Sequence, residues 1–425
     1  MKVLLTGQHG FIGSRLRSEL QRRGHDVPRF RMDFRHAVDA AQWAPQVAGM
    51  DVVINAVGVF REKERGGFDR VHALAPCALF RAAAAAGVPL VVQLSALGAD
   101  EGASTAFHRS KRDGDECLRR LKRAAWVVQP SLVYGPGGAS SRLMNLLASL
   151  PLVPLPDGGG QPIQPIHVDD LVAAMVALVE GLPPEGTRTM ALVGPDAISL
   201  RQYLGSLRAS LGLPPPRFLA VSRRLADPLA LVAARFTDWP IDPSALEMLA
   251  RGNVADVGPV SAALGRAPRG VHAFVPPELA EPLRAQAVLD WQLPLLRLAL
   301  AAMWIWTAVV SLGVYPVSES LRMLVAVGVP AVLAPGALYG AAVLDLVLGI
   351  ATITLRRRRW LWVAQALLIL GYTAVIAVRL PEHLIHPFGP IVKNLPILAL
   401  LGLLLALEPP ARRASSAAPA KEAAP

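Results

Sequence analysis

The chain has 425 residues, enough for two or three domains, of which 53% are hydrophobic and only 18% charged. The apolar excess sits in the last third, in runs long enough to need a bilayer, which excludes a wholly soluble globule. The formal net charge of +11 suits arginines gathered at the cytoplasmic ends of membrane spans against anionic lipid, and without a basic stripe or base-reading motif it gives no nucleic-acid partner.

The N-terminus reads as strand, glycine loop, helix. Lys2-Val3-Leu4-Leu5 is a short buried strand, too short and too quickly interrupted to be a signal peptide, so the first domain is expected to stay in the compartment where it is made. Thr6-Gly7-Gln8-His9-Gly10-Phe11-Ile12-Gly13 follows, and apolar Ile12, Leu16 and Leu20 mark a helix that stops at Gly24. A side chain at Gly7 or Gly10 would hold a pyrophosphate away from the backbone. Gly13 lets the helix pack on the sheet, and Phe11, Ile12 and Gly13 open the helix whose free N–H groups face the phosphates. The context, after a strand and before an amphipathic helix, is the one that identifies a dinucleotide loop.

Further strands are predicted at Val52-Val53-Ile54, Leu90 to Leu94 and Trp126-Val127-Val128, separated by helical patterns such as Leu74 to Ala86. This alternation predicts an α/β Rossmann fold, a doubly wound parallel sheet. The two cysteines, Cys77 and Cys117, fall in segments read as helices and show no disulfide or metal spacing, as expected of a reducing cytoplasm. Cofactor choice turns on the end of the second strand, within Val27-Pro28-Arg29-Phe30-Arg31-Met32-Asp33-Phe34. Arg29 and Arg31 lean towards NADP, NAD being the alternative. Solvated arginines are the other reading.

After Gly135 the pattern loosens. Pro151 to Pro165 reads as a Pro/Gly-rich loop. Helices at Val168 to Val179 and Leu200 to Leu211 suggest a small appended lobe, closing the first domain at about residue 277, with 278–292 as a linker. From residue 293 to 408 an all-α transmembrane bundle of about four helices is expected: Leu293 to Gly313, Leu338 to Leu355, Trp360 to Val378 and Ile391 to Leu407. Met323 to Ala334, broken by Pro330, reads as re-entrant or interfacial, and the Ala/Pro/Ser-rich 409–425 as a disordered tail. Arg356 to Arg359, Arg412 and Arg413 then lie inside, which places the chain in a bacterial cytoplasmic (inner) membrane with the N-terminal domain and C-terminus cytoplasmic.

The spacing Thr6-Gly7-x-x-Gly10-Phe11-Ile12-Gly13 resembles the extended and atypical short-chain dehydrogenase/reductases, the NAD-dependent epimerase/dehydratase-like group. Asn55-Ala56-Val57-Gly58 resembles the loop that flanks the cofactor, and Leu94-Ser95-Ala96 the strand end with the catalytic serine. Pro130 to Pro136 resembles the segment beside the nicotinamide, and Ile166 to Asp170 a later signature. The resemblance implies cofactor contacts from Gly7, Gly10, Phe11, Ile12, Gly13, Arg31, Asp33, Asn55, Ala56, Val57, Lys111 and Pro130, and catalytic roles for Ser95 and Lys111. In that family a Tyr precedes the Lys by one helical turn and moves the proton. Here Phe107-His108-Arg109-Ser110-Lys111 has Phe at the Tyr position. Tyr134 is the replacement candidate, with wall packing as the other reading, while His108 is turned about 100° away.

Residues from about 295 to 408 resemble the DoxX-like membrane family through Ala334 to Asp345 and Arg379 to Pro396. Asp345 lies mid-span, either at a quinone, substrate or proton site or in an ion pair with Arg297 or Arg379. His383 and His386 read as a loop-surface pair rather than a metal site. Two functions follow. One is a membrane-anchored NAD(P)-dependent oxidoreductase or dehydratase-like enzyme with a lipid-like or quinone substrate. The other is a non-catalytic NADPH-binding sensor or scaffold of a membrane complex.

Overall fold

The computed structural model describes residues 1–30, 32–62, 64, 66–222, 224–228, 231, 243–385 and 391–408. The chain divides into two compact units, Met1–Val288 and Leu289–Pro425. In the first unit, β1 (Val3–Thr6), β2 (Val52–Asn55), β3 (Leu90–Leu94), β4 (Ala125–Pro130) and β5 (Thr187–Leu192) form one parallel sheet in that order.

The strands are apolar almost throughout because both faces are covered. Val3, Leu5, Val52, Ile54, Leu90, Val92 and Val128 point into a core shared with Leu16, Leu20, Leu171 and Met175. Leu4, Val53, Val91 and Val127 point into another, shared with Trp43, Leu79, Phe80 and Leu118. Helices α1 (Phe11–Arg22) and α6 (Val168–Glu180) thus cover one face. Helices α2 (Ala40–Val47), α3 (Ala75–Ala85) and α4 (Ala106–Arg120) cover the other. The helix expected at Val168 to Val179 therefore belongs to the Rossmann layer rather than to the lobe.

The expected second strand does not form. Among the described residues, the chain after α1 makes only an isolated bridge, Asp26 to Lys2, with Asp26 N–H donating to Met1 and Val3 N–H donating to Asp26. Pro28 has no N–H to extend a ladder. This segment lies on the edge of β1 opposite β2, so the chain direction switches at the C-terminal end of β1, where doubly wound sheets bind ligands.

The lobe is built around a third core. It takes Tyr134, Val153, Leu155 and Ile163 from the short strands Val133–Tyr134, Val153–Pro156 and Pro162–Ile163, the last two lying where a loop was expected over Pro151 to Pro165, Ala148 from α5 (Ala139–Ser149), Tyr203, Leu204 and Leu207 from α7 (Leu200–Ser210), and Phe274. Buried Asp170 at the start of α6 ties this region in, accepting from Arg266 at 2.5 Å and from the Arg269 backbone N–H at 2.8 Å.

The two cysteines are not independent. Cys77 on α3 and Cys117 on α4 are disulfide-bonded, their Cα atoms 5.7 Å apart, although 40 residues separate them in sequence. Sequence spacing cannot show this, because the neighbourhood is made by two helices lying side by side on one sheet face. The bridge is a feature of oxidising surroundings and opens in a reducing cytoplasm. Closing a loop of this length is worth up to about 4 kcal/mol by the chain-entropy account. After oxidation in air, the denatured protein should titrate no free thiol, and dithiothreitol should lower its melting temperature. Two free thiols after oxidation would refute the pairing.

Helix α8 (Pro277–Val309), whose residues from Leu289 on belong to the second unit, takes in the whole of the expected linker, since 278–292 is helical. It is followed by α9 (Ala334–Thr354), α10 (Arg359–Arg379) and α11 (Asn394–Leu407). Among the described residues, three helices are long and apolar enough to cross a membrane: Pro277–Val314, Ala334–Thr354 and Arg359–Arg379. The fourth, Asn394–Leu407, has 14 residues, about 21 Å of helix against a hydrocarbon core of about 30 Å. The stretch read as re-entrant, Met323 to Ala334, takes in only the end of the 10-residue helix Val317–Ala326 and a turn at Pro330.

Helices α10 and α11 run antiparallel. Glu408 accepts from Arg297 at 3.3 Å, its backbone carbonyl accepts from Arg359 at 3.0 Å, and Asn394 donates to Thr373 at 2.8 Å. Arg297 is therefore engaged by Glu408 rather than by Asp345, whose Oδ1 has no partner among the described residues. The side chains of His383 and His386 and all of 409–425, with Arg412 and Arg413, lie outside the described residues.

Candidate functional site

The glycine loop is shaped by the chain itself. Gly7 has φ +72°, and a Cβ there would lie 2.6 Å from the Ala56 carbonyl oxygen. A Cβ on Gly13 would lie 2.1 Å from the Gly7 carbonyl, whereas one on Gly10 meets only that carbonyl, at 3.2 Å. Gly7 and Gly13 thus fit loop, sheet and helix together, and Gly10 faces open space at the start of α1. No side chain caps α1 and its first turn holds no acidic residue, leaving its N-terminal N–H groups to a phosphate. Gln8, buried under the loop, donates to Phe30 at 2.6 Å and so fastens it to the segment after β1.

The neighbouring candidates divide by role. Ala56 and Val57 abut the loop; Ile12 packs into the core on its other side. Phe11 lies under the Arg15 guanidinium, 4.5 Å from its ring centroid, and against Gly135 and Gly138. Pro130 ends β4 and accepts from Leu97 N–H at 3.0 Å. Asn55 is fully buried and turned into the protein, so its amide positions Val57 N–H (3.2 Å) rather than facing the loop. Exposed Asp33 pairs with Arg35 at 2.7 Å, which holds its carboxyl down at about 2. Arg31 lies outside the described residues.

Beyond the ends of β2 and β3 lies a buried polar cluster on α4. Lys111 is 4% exposed and donates to the carbonyls of Leu94 (3.1 Å) and Val57 (3.4 Å). Burial lowers its ammonium to about 8, partly offset by Asp115. Ser95 donates to Asp115 Oδ2 at 2.5 Å. His72 is locked from both sides, accepting from Val59 N–H at 3.0 Å and meeting Ser110 Oγ at 2.9 Å. Burial and the Lys111 charge keep its imidazole neutral, down at about 2.

An aromatic group packs against His72. The Phe107 ring centroid is 5.3 Å from Phe60, 6.0 Å from Phe68 and 5.4 Å from His72. Phe60 is 41% exposed, so the approach is lined by hydrocarbon. His108 packs under the glycine turn at Gly98, with burial lowering its imidazole to about 4. Tyr134 does not join the cluster. It is 1% exposed, its hydroxyl is bonded to Asn145 at 3.1 Å, its ring stacks on Phe274, and burial raises its phenol pKa. A phenol so enclosed in the lobe core is a packing residue, which corrects the proton-donor role expected of it.

The sequence reading missed Asp115, Phe60, Phe68 and Gln8. Asp115 alone carried a signal, since it follows Lys111 by four residues and so shares its helix face.

Comparison with known proteins matches this geometry. Residues 3–186 match the model of the NAD dependent epimerase/dehydratase family, and residues 301–402 that of the DoxX-like family. The chain is 29% identical over 191 residues to ceramide reductase of Caulobacter vibrioides, covering 45% of this chain and 58% of the relative. It is 29% identical over 281 residues to 3-diazoavenalumate denitrifying reductase of a Streptomyces species, covering 56% and 88%. It is 28% identical over 163 residues to a subunit of mitochondrial NADH dehydrogenase (subunit 9 of the 1 alpha subcomplex) of Arabidopsis thaliana, covering 37% and 39%. The chain thus spans well under two thirds of the first and third of these. Among solved structures, MoeE5 with UDP-glucuronic acid and NAD superposes with a TM-score of 0.52 at 20% identity, covering 66% of this chain and 99% of MoeE5. UDP-glucose 4-epimerase of Bifidobacterium longum with NAD+ and UDP gives 0.52 at 17%, covering 67% and 100%. At these identities the structures establish a shared fold. The chain thus joins an N-terminal part similar to the NAD-dependent epimerase/dehydratase family, which indicates a nicotinamide cofactor, to a C-terminal part similar to the DoxX-like family with apolar helices.

Proposed function

We propose that this protein is a membrane-anchored oxidoreductase that uses a nicotinamide cofactor, NADP in preference to NAD, on the carbonyl or carbinol of an apolar, lipid-like substrate. The observation that carries the reading is the packing of the Phe60, Phe68 and Phe107 rings against His72, which with buried Lys111, one turn after Phe107 on α4, borders Gly58. Such a lining favours hydrocarbon over sugar, and a membrane domain in the same chain brings lipid or quinone within reach. The reductase names of two relatives support the reductive direction. Arg29 and Arg31 in sequence, with Asp33 already paired to Arg35, support NADP.

In this reading Gly10 admits the pyrophosphate to a loop that Gly7 and Gly13 shape, Lys111 holds the nicotinamide ribose, and Ser95 binds the substrate oxygen. The cofactor, when bound, supplies or accepts the hydride. A second reading, a nucleotide-binding sensor or scaffold, is favoured by one observation, the phenyl ring of Phe107 where the family has a phenol. Full-length protein in detergent decides between them. NADP(H) should bind by calorimetry more tightly than NAD(H), and lipid extraction should recover a co-purifying carbonyl or carbinol lipid. No binding of either nucleotide would end both readings. Binding without turnover of any recovered lipid would favour the scaffold.

The arrangement we propose in the membrane puts the N-terminal unit, the Arg356 to Arg359 cluster and the C-terminus in the cytoplasm, with α11 as a short fourth crossing. The Glu408–Arg297 and Glu408–Arg359 contacts support it, because they hold the end of α11 level with the starts of the apolar part of α8 and of α10. Reporter fusions at Arg358 and at the C-terminus should read cytoplasmic, and one after Ile385 periplasmic. An outward C-terminus would show that α11 does not cross.

A further inference from the structure

A row of buried polar side chains crosses the sheet on the face covered by α4, where apolar residues would be expected. Thr6, Asn55 and Gln93 are in register on β1, β2 and β3, and all are fully buried. Thr6 Oγ1 donates to Asn55 Oδ1 at 2.7 Å, and Asn55 Nδ2 donates to Gln93 Oε1 at 2.7 Å. Next along, Asp115 is itself fully buried, with Oδ2 bonded to Ser95, and Gln93 Nε2 and Asp115 Oδ1 have no hydrogen-bond partner among the described residues. A buried carboxylate without a full set of donors is costly, whereas the neutral acid is not. Lys111, one turn away, directs its ammonium at backbone carbonyls instead.

From this geometry we infer that Asp115 stores the proton that the missing tyrosine would have carried and passes it through Ser95 to the substrate oxygen. The inference rests on the oxidoreductase reading above. Protonated, Asp115 donates to Ser95 Oγ, which frees the serine hydroxyl to donate outward. On reduction, the carbonyl carbon gains a hydride from the reduced nicotinamide, and its π electron pair moves onto oxygen. That oxygen takes the Ser95 proton, and Ser95 takes the Asp115 proton. The carboxylate regains a proton from solvent after the alcohol leaves. Asp115 acts only through Ser95, as a positioning and proton-storing residue.

Its surroundings set the pH range. Burial raises the Asp115 carboxyl to about 6; the Ser95 hydroxyl, Lys111 and Arg119 pull it back. His72, whose carbonyl packs against Gly114, contributes a neutral ring. The acid is therefore present below about pH 6 and lost above it.

The test uses the full chain in detergent. Infrared spectra across a pH titration should show a protonated-carboxyl C=O band that disappears near pH 6. The band should be absent in Asp115→Asn and displaced in Ser95→Ala, where its hydrogen-bond partner is gone. With NADPH and 4-nitrobenzaldehyde as probe, Asp115→Asn should lower kcat by roughly 10²–10⁴-fold with KM little changed, and abolish the fall in kcat above pH 6. A carboxyl that stays ionised down to pH 5, or a variant of wild-type kcat and pH profile, would overturn the relay. Failure of the oxidoreductase reading is separate: no nucleotide binds, whatever the infrared band does.

Discussion

Gly10→Asp should abolish binding of both NAD(H) and NADP(H) while leaving the melting temperature close to that of the wild type. The geometry separates these two outcomes. A Cβ at position 10 meets only the Gly7 carbonyl, at 3.2 Å, so the backbone can accommodate it. The added carboxylate then occupies the ground in front of the uncapped first turn of α1, where a pyrophosphate must sit. Like charges about 4 Å apart repel by about 4 kcal/mol at an effective dielectric near 20, roughly a thousandfold in affinity. Gly13→Ala should behave differently. Its Cβ would lie 2.1 Å from the Gly7 carbonyl, so loop and helix must part, and stability should fall together with affinity. Calorimetry and thermal melts of the two variants check the contrast. Unchanged nucleotide affinity in Gly10→Asp would remove the first turn of α1 from the cofactor site.

What could be read from the sequence was whatever a short stretch decides by itself. Val3 to Leu5 and Leu90 to Val92 are apolar on both faces, which only a strand covered on both sides needs, and the glycine loop states its own purpose. The errors came where the answer lies between distant segments. Cys77 and Cys117 meet because α3 and α4 lie side by side. Tyr134 leaves the site because the lobe closes over it with Phe274 and Asn145. Val168 to Val179 looked like lobe because it follows a loop-rich stretch, yet it is the crossover helix that delivers β5 to the sheet. Asp115 went unread for another reason. A carboxylate on a helix with so many charges, in Arg109 to Arg120, looks solvated until burial is known. The apolar periodicity showed the membrane helices but not where α11 begins, because Ile391 and Val392 are apolar and still outside the helix.

Phe107→Tyr should speed carbonyl reduction most where the proposed relay is weakest. The phenol oxygen would stand one turn ahead of Lys111, which burial holds at about 8 and whose remaining charge favours phenolate character. Below pH 6 the wild-type chain has a protonated Asp115 behind Ser95, and a second proton source adds little. At pH 8 Asp115 is ionised, since its carboxyl titrates near 6, and the stored proton is gone. A tyrosine is still protonated there, so the variant should keep its rate where the wild type has lost about a hundredfold, tenfold for each pH unit above the titration. In the Asp115→Asn background the gain should appear at every pH and approach the roughly 10²–10⁴-fold typical of general acid help. Single-turnover reduction of 4-nitrobenzaldehyde by NADPH, measured from pH 5 to 8 for the four chains of this cycle, gives the answer. Rescue of Asp115→Asn by Phe107→Tyr would show that the two residues supply the same proton. A gain from tyrosine that is equal at pH 5 and pH 8 would mean that Asp115 supplies none.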